Sequence, residues 1–416
     1  MMMLAGFLVF SALLPLALAA QDPLQSAVRL AATGRLTEAE QILRKLEQGD
    51  PQNAEVLYRL GLVLLREGKH KEAGMRLEAA SRLSPESPLV WLTLAQVKLR
   101  QGNTAEAARA AARARSLARR DEVLSKALLL YDVEAIQHHL EAGQAQEAIE
   151  LARQAVVREN AAVFRNLLGK AYALRNNAVE AVQELQEAIR LDPNQAAYYL
   201  DLAAVLLDHR TPEPAVVILG NAAQRFPKNA EVVRLLGVAY LGKGQTREAL
   251  EAFLHAIVLD PDLEISYASL ETLLPEAGDL LPEITRRLSA FSDQHPSSPV
   301  GHYLLALVSA EQAELRLRRA IAVAPAFWPA HFELHKILKQ QGKWKDAEAA
   351  LEKVVSLNPN YPQAHYSLAE VFLHLGDRAR ASQERELHHK LVAAQRAAEE
   401  KRRQEAPKLD YRLVDR

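Results

Sequence analysis

An all-α fold of stacked helix-turn-helix units is the fold class that this sequence predicts, and three observations support it. Apolar residues recur at helical spacing within a unit of about 34 residues, and similar units repeat along the chain. Most units carry a glycine after the first predicted helix and a proline after the second. Hydrophobic residues make up 49% of the chain and aromatic residues only 6%, and alanine and leucine are abundant, which favours helices.

The unit at residues 230–263 shows this pattern most clearly. Two sets of residues at helical spacing give the predicted helices one packing face each: Val233, Leu236, Gly237 and Tyr240, then Ala249, Phe253, Ala256 and Ile257. Asn229 is a suitable N-cap for the first helix. Gly244 suits a left-handed turn after that helix, and Pro261 ends the second one because proline lacks an amide donor.

The pattern L-G-x-x-Y, then A-x-x-x-F-x-x-A, then P, resembles the tetratricopeptide repeat. The family's signature positions are held by Leu236, Gly237, Tyr240, Gly244, Ala249, Phe253, Ala256 and Pro261. The resemblance implies a right-handed α-solenoid whose first helices line a concave binding surface. About eleven such repeats cover the chain after residue 20, which leaves no room for a separate catalytic domain, so we predict that the protein is not an enzyme.

Departures from the repeat pattern suggest how the chain is divided. Pro275 and Pro282 interrupt one unit, and Glu283 and Arg287 stand there at positions that should be apolar. The last second helix continues without proline and is polar on most faces, which is typical of a terminal cap. We predict a signal peptide at 1–20, a regular array at 21–263, degenerate repeats at 264–327, C-terminal repeats with a capping helix at 328–405 and a tail at 406–416. A slip in register between Arg120 and Leu130 predicts an unusually long helix after it.

Residues 1–20 are mostly apolar, carry no charged side chain and end in Ala17-Leu18-Ala19. This ending suits cleavage by signal peptidase, so we expect an exported protein of bacterial type, periplasmic or secreted. The usual positive residues before the apolar stretch are missing. Because the length also permits a membrane span, a retained anchor is the alternative, and contact with a membrane is expected only in that case.

Charge and cysteine content exclude several classes of function. The formal net charge is −1, which gives no overall attraction to nucleic acid. The chain has no cysteine, so disulfides, thiolate zinc sites and cysteine nucleophiles are excluded. No cofactor and no nucleic-acid partner are predicted. A basic run between Arg109 and Arg120 is interpreted as a solvated outer face, because it lies on a second helix and precedes Asp121-Glu122.

His331 and His335 are the strongest candidates for metal binding, since two histidines four residues apart share one helical face. The motif HFELH lacks the glutamate that H-E-x-x-H requires beside its first histidine. His331 also occupies a position held by Trp91 and Tyr199 in other repeats. We therefore predict a packing role, and keep a metal-dependent protein as a minor alternative.

The candidate binding residues are first-helix positions next to the packing face, where the family's concave surface lies. They are Tyr58, Leu62, Leu92, Gln96, Asn166, Lys170, Arg234, Val238, Leu241 and Tyr366. Asn166 and Lys170 resemble part of the family's carboxylate clamp, but companion basic residues are missing. Because the set is apolar for exposed sites, we expect a non-catalytic scaffold that binds a peptide or an amphipathic helix of a protein partner.

Overall fold

The computed structural model describes residues 22–118 and 121–405, so the predicted signal peptide and tail lie outside the described residues. Within these ranges every regular element is a helix, as predicted, and consecutive helices pack against each other. None of the described helices is both long and apolar enough to cross a membrane. The chain forms two compact units, residues 1–177 and residues 178–416.

The first unit contains nine helices in its described part. They are α1 (Pro23–Ala32), α2 (Leu36–Gly49), α3 (Ala54–Arg66), α4 (His70–Leu83), α5 (Pro88–Arg100), α6 (Thr104–Leu117), α7 (Glu122–Glu141), α8 (Ala145–Arg158) and α9 (Ala162–Leu174). Helix α7 has 20 residues, which confirms the long helix predicted from the slip in register. One continuous core runs from Ala27 on α1 to Ala135 on α7.

The second unit contains thirteen α-helices in its described part. They are α10 (Ala178–Leu191), α11 (Ala196–Asp208), α12 (Pro212–Arg225), α13 (Ala230–Gly242), α14 (Thr246–Leu259), α15 (Glu264–Ala268), α16 (Leu281–Gln294), α17 (Pro299–Val308), α18 (Ala313–Val323), α19 (Trp328–Gln340), α20 (Trp344–Leu357), α21 (Pro362–His374) and α22 (Arg378–Glu405).

Close contact between the two helices of a repeat depends on glycine at one position. In the α13–α14 pair, a Cβ atom added to Gly237 would lie 2.7 Å from a ring carbon of Phe253. Phe253 and Ala249 are fully buried, as the sequence pattern predicts. The family signature at this position therefore has a direct steric cause: the aromatic ring fills the space that a side chain would need.

The turn between the two helices of a repeat uses a left-handed residue. Gly244 after α13 has φ 73°, and the amide of Gln245 donates to the Tyr240 carbonyl at 3.0 Å. Arg210 takes the same conformation after α11, with φ 54°, although it is not glycine. The next residue stabilises that turn, because both the amide and the hydroxyl of Thr211 donate to the Leu206 carbonyl.

The first part of the region predicted to be degenerate, residues 264–280, departs from regular helical geometry. Helix α15 has only five residues, and two 3₁₀ helices follow it, Glu271–Glu276 and Gly278–Leu280. Pro275 lies inside the first of these, where an α-helix would lose a hydrogen bond. The hydrophobic core nevertheless continues through the region, and Tyr267 stacks on Phe291 with ring centroids 4.0 Å apart.

The expected register of α16 was wrong by one residue. Ile284 and Leu288 are fully buried, while Glu283 and Arg287 form an ion pair at 2.6 Å beside them. The preceding turn is built from 3₁₀ helices rather than from a regular α-helix, so the repeat spacing does not carry through it. Glu283 and Arg287, which the repeat spacing assigned to core positions, thus lie beside the core, and the core itself is intact.

Candidate protein-binding surface

The structure places the candidate binding residues on the first helices of their pairs, as expected. Those of the first unit lie on α3, α5 and α9, and those of the second unit lie on α13 and α21. Neighbouring first helices contact each other directly, α3 with α5 in the first unit and α11 with α13 in the second. Matching positions on these helices therefore form a surface within each unit.

In the first unit, the expected exposure is not found for three of the six candidates. Tyr58, Leu92 and Asn166 are buried, and burial raises the pKa of the Tyr58 hydroxyl. Leu62 and Gln96 are half-buried, and Lys170 is exposed. Direct packing of adjacent first helices covers the inner side chains, which spacing along the sequence does not reveal. That these six residues take part in binding remains a prediction.

In the second unit, Leu241 and Tyr366 present their side chains to solvent, with exposed fractions of 36% and 49%. Val238 is half-buried. Arg234 is buried and donates to both carboxylate oxygens of Glu231, at 2.7 and 2.5 Å. Its guanidinium is thus held by a neighbour on α13.

Sequence reasoning missed further apolar residues on the first helices of the second unit. Ala204 and Leu207 occupy on α11 the positions that Val238 and Leu241 occupy on α13. Leu373 on α21 is exposed at the matching position of the last repeat. The signal was available, because Ala204 and Leu207 lie one repeat length before Val238 and Leu241, and Leu373 lies two helical turns after Tyr366 on the same helix.

The two histidines considered for metal binding have other partners. His335 is 2% exposed, its Nδ1 atom donates to the Phe332 carbonyl, and its ring lies 4.8 Å from the Phe332 ring. Burial lowers the pKa of His335 to about 4. The Nε2 atom of His331 donates to the Pro325 carbonyl at 3.0 Å, so one ring nitrogen of each histidine is occupied. The described residues contain no cluster of three metal-ligating side chains.

The basic run on α6 is only partly a solvated face. Arg115 pairs with Asp132 on α7, which is buried, and Arg158 on α8 pairs with the same carboxylate at 2.9 Å. Arg113 pairs with Glu86 at 2.8 Å. These contacts connect neighbouring repeats and leave fewer cations available for a ligand than the sequence suggests. The end of the run, at residues 119–120, lies outside the described residues.

Comparison with protein-family models supports the resemblance that the sequence showed. A model described as TPR repeat matches residues 336–376. Two models described as tetratricopeptide repeat match residues 64–129 and 206–274, and residues 24–88 and 133–196. The chain belongs to the tetratricopeptide repeat family. Residues 275–335 fall outside these matches.

Individual relatives are similar to parts of the chain. Human protein O-mannosyl-transferase TMTC3 is 24% identical over 207 residues, which cover 48% of this chain and 23% of that protein. Human tetratricopeptide repeat protein 33 is 34% identical over 87 residues, which cover 20% of this chain and 33% of that protein. The aligned stretches thus span about a quarter to a third of the relatives' own lengths.

Among solved structures, yeast Tom70 covers 94% of this chain and 97% of its own, with a TM-score of 0.46 and 16% identity. At this identity the likeness concerns the fold alone. The tetratricopeptide solenoid of the matching family is typical of protein–protein interaction and is generally a non-catalytic scaffold.

Proposed function

We propose that this protein is a non-catalytic scaffold that binds a peptide or helix of a protein partner on the first-helix surface of its repeats. The observation that carries the proposal is the exposure of Leu241 on α13 and of Tyr366 and Leu373 on α21, which are both first helices. Exposed apolar side chains aligned on one solenoid surface are suited to an amphipathic segment.

The test compares two matched substitutions in the second unit. Leu241→Glu places a charge on the first-helix surface, and Val258→Glu places the same charge on α14, where the side chain is 53% exposed. We expect Leu241→Glu to lower recovery of a co-purified partner by about tenfold or more, since tenfold corresponds to about 1.4 kcal/mol. Val258→Glu should leave recovery unchanged. Equal recovery with both variants, both folded by circular dichroism, would contradict the proposed surface.

We further propose that the protein is exported and cleaved after residue 20, as the A-x-A ending supports. The alternative is an assembly component held at a membrane by residues 1–20. N-terminal sequencing of the mature protein separates the two proposals. A chain that begins near Gln21 supports cleavage, and a chain that retains Met1 supports the anchor.

A further inference from the structure

A strip of five apolar side chains lies on the first-helix surface of the second unit. It consists of Leu200, Ala204 and Leu207 on α11 with Val238 and Leu241 on α13, and we call it the apolar strip. Ala204 and Leu241 are exposed and the other three are half-buried. Helices α11 and α13 contact each other, and Ala204 and Leu207 occupy the same repeat positions as Val238 and Leu241, so the strip crosses two neighbouring helices. A surface of this kind is typical of a binding site.

Helix α22 reaches the same part of the unit from the far end of the chain. It has 28 residues, twice the 14 residues of a regular second helix such as α14. Near its end, Glu399 accepts a hydrogen bond from Nη1 of Arg210 at 2.9 Å, across 189 residues of sequence. Arg210 stands in the α11–α12 turn, shortly after Leu207 of the apolar strip. Residues 393–400 of α22 are exposed, so no apolar core positions this extension.

The segment that follows α22 has an apolar pattern suited to the apolar strip. Helix α22 ends at Glu405, about 9 Å beyond Glu399 at 1.5 Å per residue. Residues 406–416 could then extend over about 35 Å. Within them Leu409, Tyr411 and Leu413 alternate with charged residues, so an extended chain would present all three on one face.

We propose that residues 406–416 bind the apolar strip as an internal ligand that a protein partner must displace. The Arg210–Glu399 ion pair brings the segment to the strip, and the alternating apolar face covers it. Both ion-pair partners are about half exposed, and exposed ion pairs are weak, so the bound segment remains displaceable. The inference rests on the proposed function, since the apolar strip is part of the proposed binding surface.

Disulfide trapping in the full-length chain tests this directly, because the natural sequence has no cysteine. One variant carries Ala204→Cys and Leu413→Cys, which leaves Leu409 and Tyr411 in place. The matched control carries Val258→Cys and Leu413→Cys, with the first cysteine on α14 away from the strip. We expect intramolecular oxidation of monomeric protein at least about tenfold faster in the first variant, because a bound segment raises the effective concentration. Equal rates in the two variants would overturn the proposal.

Charge variants test whether the Arg210–Glu399 ion pair brings residues 406–416 to the apolar strip. Arg210→Glu in the Ala204→Cys and Leu413→Cys background should slow disulfide formation, and adding Glu399→Arg should restore it. Slowing without restoration, or no slowing at all, would show that the pair does not deliver the segment.

The trapping experiment needs no partner, so its outcome is independent of the proposed function. Equal oxidation rates remove the internal ligand and leave partner binding to be judged by Leu241→Glu. Conversely, fast trapping supports the internal ligand whatever partner recovery Leu241→Glu shows, because no partner takes part in that experiment.

Discussion

Single side chains determine how closely the helices of a repeat approach. Gly237 faces the Phe253 ring, and Gly61 faces the Leu77 side chain, where an added Cβ would lie 2.6 Å from Cγ. Both pairs belong to regular repeats and both large partners are fully buried. Contacts this close leave no room for a methyl group without movement of a packed helix. The small residue of the family signature is thus a steric requirement.

We expect Gly237→Ala to destabilise the protein by about 1–3 kcal/mol, because overpacking forces the Phe253 ring or its helix to shift. The matched control is Gly220→Ala on α12, where nothing lies within 4 Å of the added Cβ. The control should be neutral or stabilise by up to about 1 kcal/mol, since alanine is the better helix former. Urea unfolding followed by circular dichroism measures both. A Gly237→Ala variant as stable as the control would contradict the packing argument.

His335 makes stability depend on pH. Its pKa of about 4 in the folded chain lies below the value of about 6.5 expected when unfolded, because burial disfavours the charged ring. The unfolded chain therefore binds the proton more readily, and the contribution of neutral His335 is complete above pH 6.5 and is lost as the pH falls towards 4.

From these two pKa values we expect lowering the pH from 7.5 to 5.0 to cost the wild type about 2 kcal/mol more than the variant His335→Gln. Urea unfolding monitored by tryptophan fluorescence reports on this region, because Trp328 and Trp344 lie in the same repeat. His255→Gln is the control, since His255 is exposed on α14. An equal pH dependence in the wild type and His335→Gln would contradict the assignment.

At the scale of elements, α22 is both a second helix and a cap. Ala381 is buried against the preceding repeat, and most of the rest of the helix is exposed. His365 on α21 connects the two helices, with Nδ1 2.6 Å from Glu384 and Nε2 2.9 Å from the Pro359 carbonyl. The polar surface predicted for a terminal cap is found, and the first half of α22 is fixed by specific contacts.

We expect Glu384→Ala to loosen α22, because it leaves the buried His365 without its carboxylate partner. The control is Glu386→Ala, two residues further along and exposed. Hydrogen exchange should become several-fold faster in α22 for Glu384→Ala, while Glu386→Ala stays close to wild type. Unchanged exchange in Glu384→Ala would show that other contacts hold the cap.

The stretch from α15 to α16 shows where the sequence pattern no longer predicts the helices correctly. The prolines correctly indicated an interruption, since they cannot donate an amide hydrogen bond. They did not indicate that 3₁₀ turns would replace most of the first helix, nor that Ile284 and Leu288 would take the core positions. Periodicity fixes a register only while the helix stays regular, so the prediction failed immediately after the irregular turn.

At the scale of the whole molecule, metal binding is the chemistry that can be tested most simply, since the described residues hold no cluster of three metal-ligating side chains. His331 and His335 each use one ring nitrogen on a backbone carbonyl. We expect a metal chelator to leave the thermal unfolding midpoint unchanged, because bound metal would stabilise the folded state by mass action. A reproducible fall on chelation, reversed by zinc, would instead support the metal-dependent alternative.

The repeat length, the glycine at the close contact and the long terminal helix were all determined by the sequence alone, because each depends on local spacing and backbone conformation. The burial of Tyr58, Leu92 and Arg234 was decided only by the tertiary structure, because neighbouring helices cover these side chains. The same holds for the ion pair between Arg210 and Glu399, since repeats far apart in sequence meet there. Local patterns specify each repeat, whereas the stacking of many repeats decides which surfaces remain open to a partner.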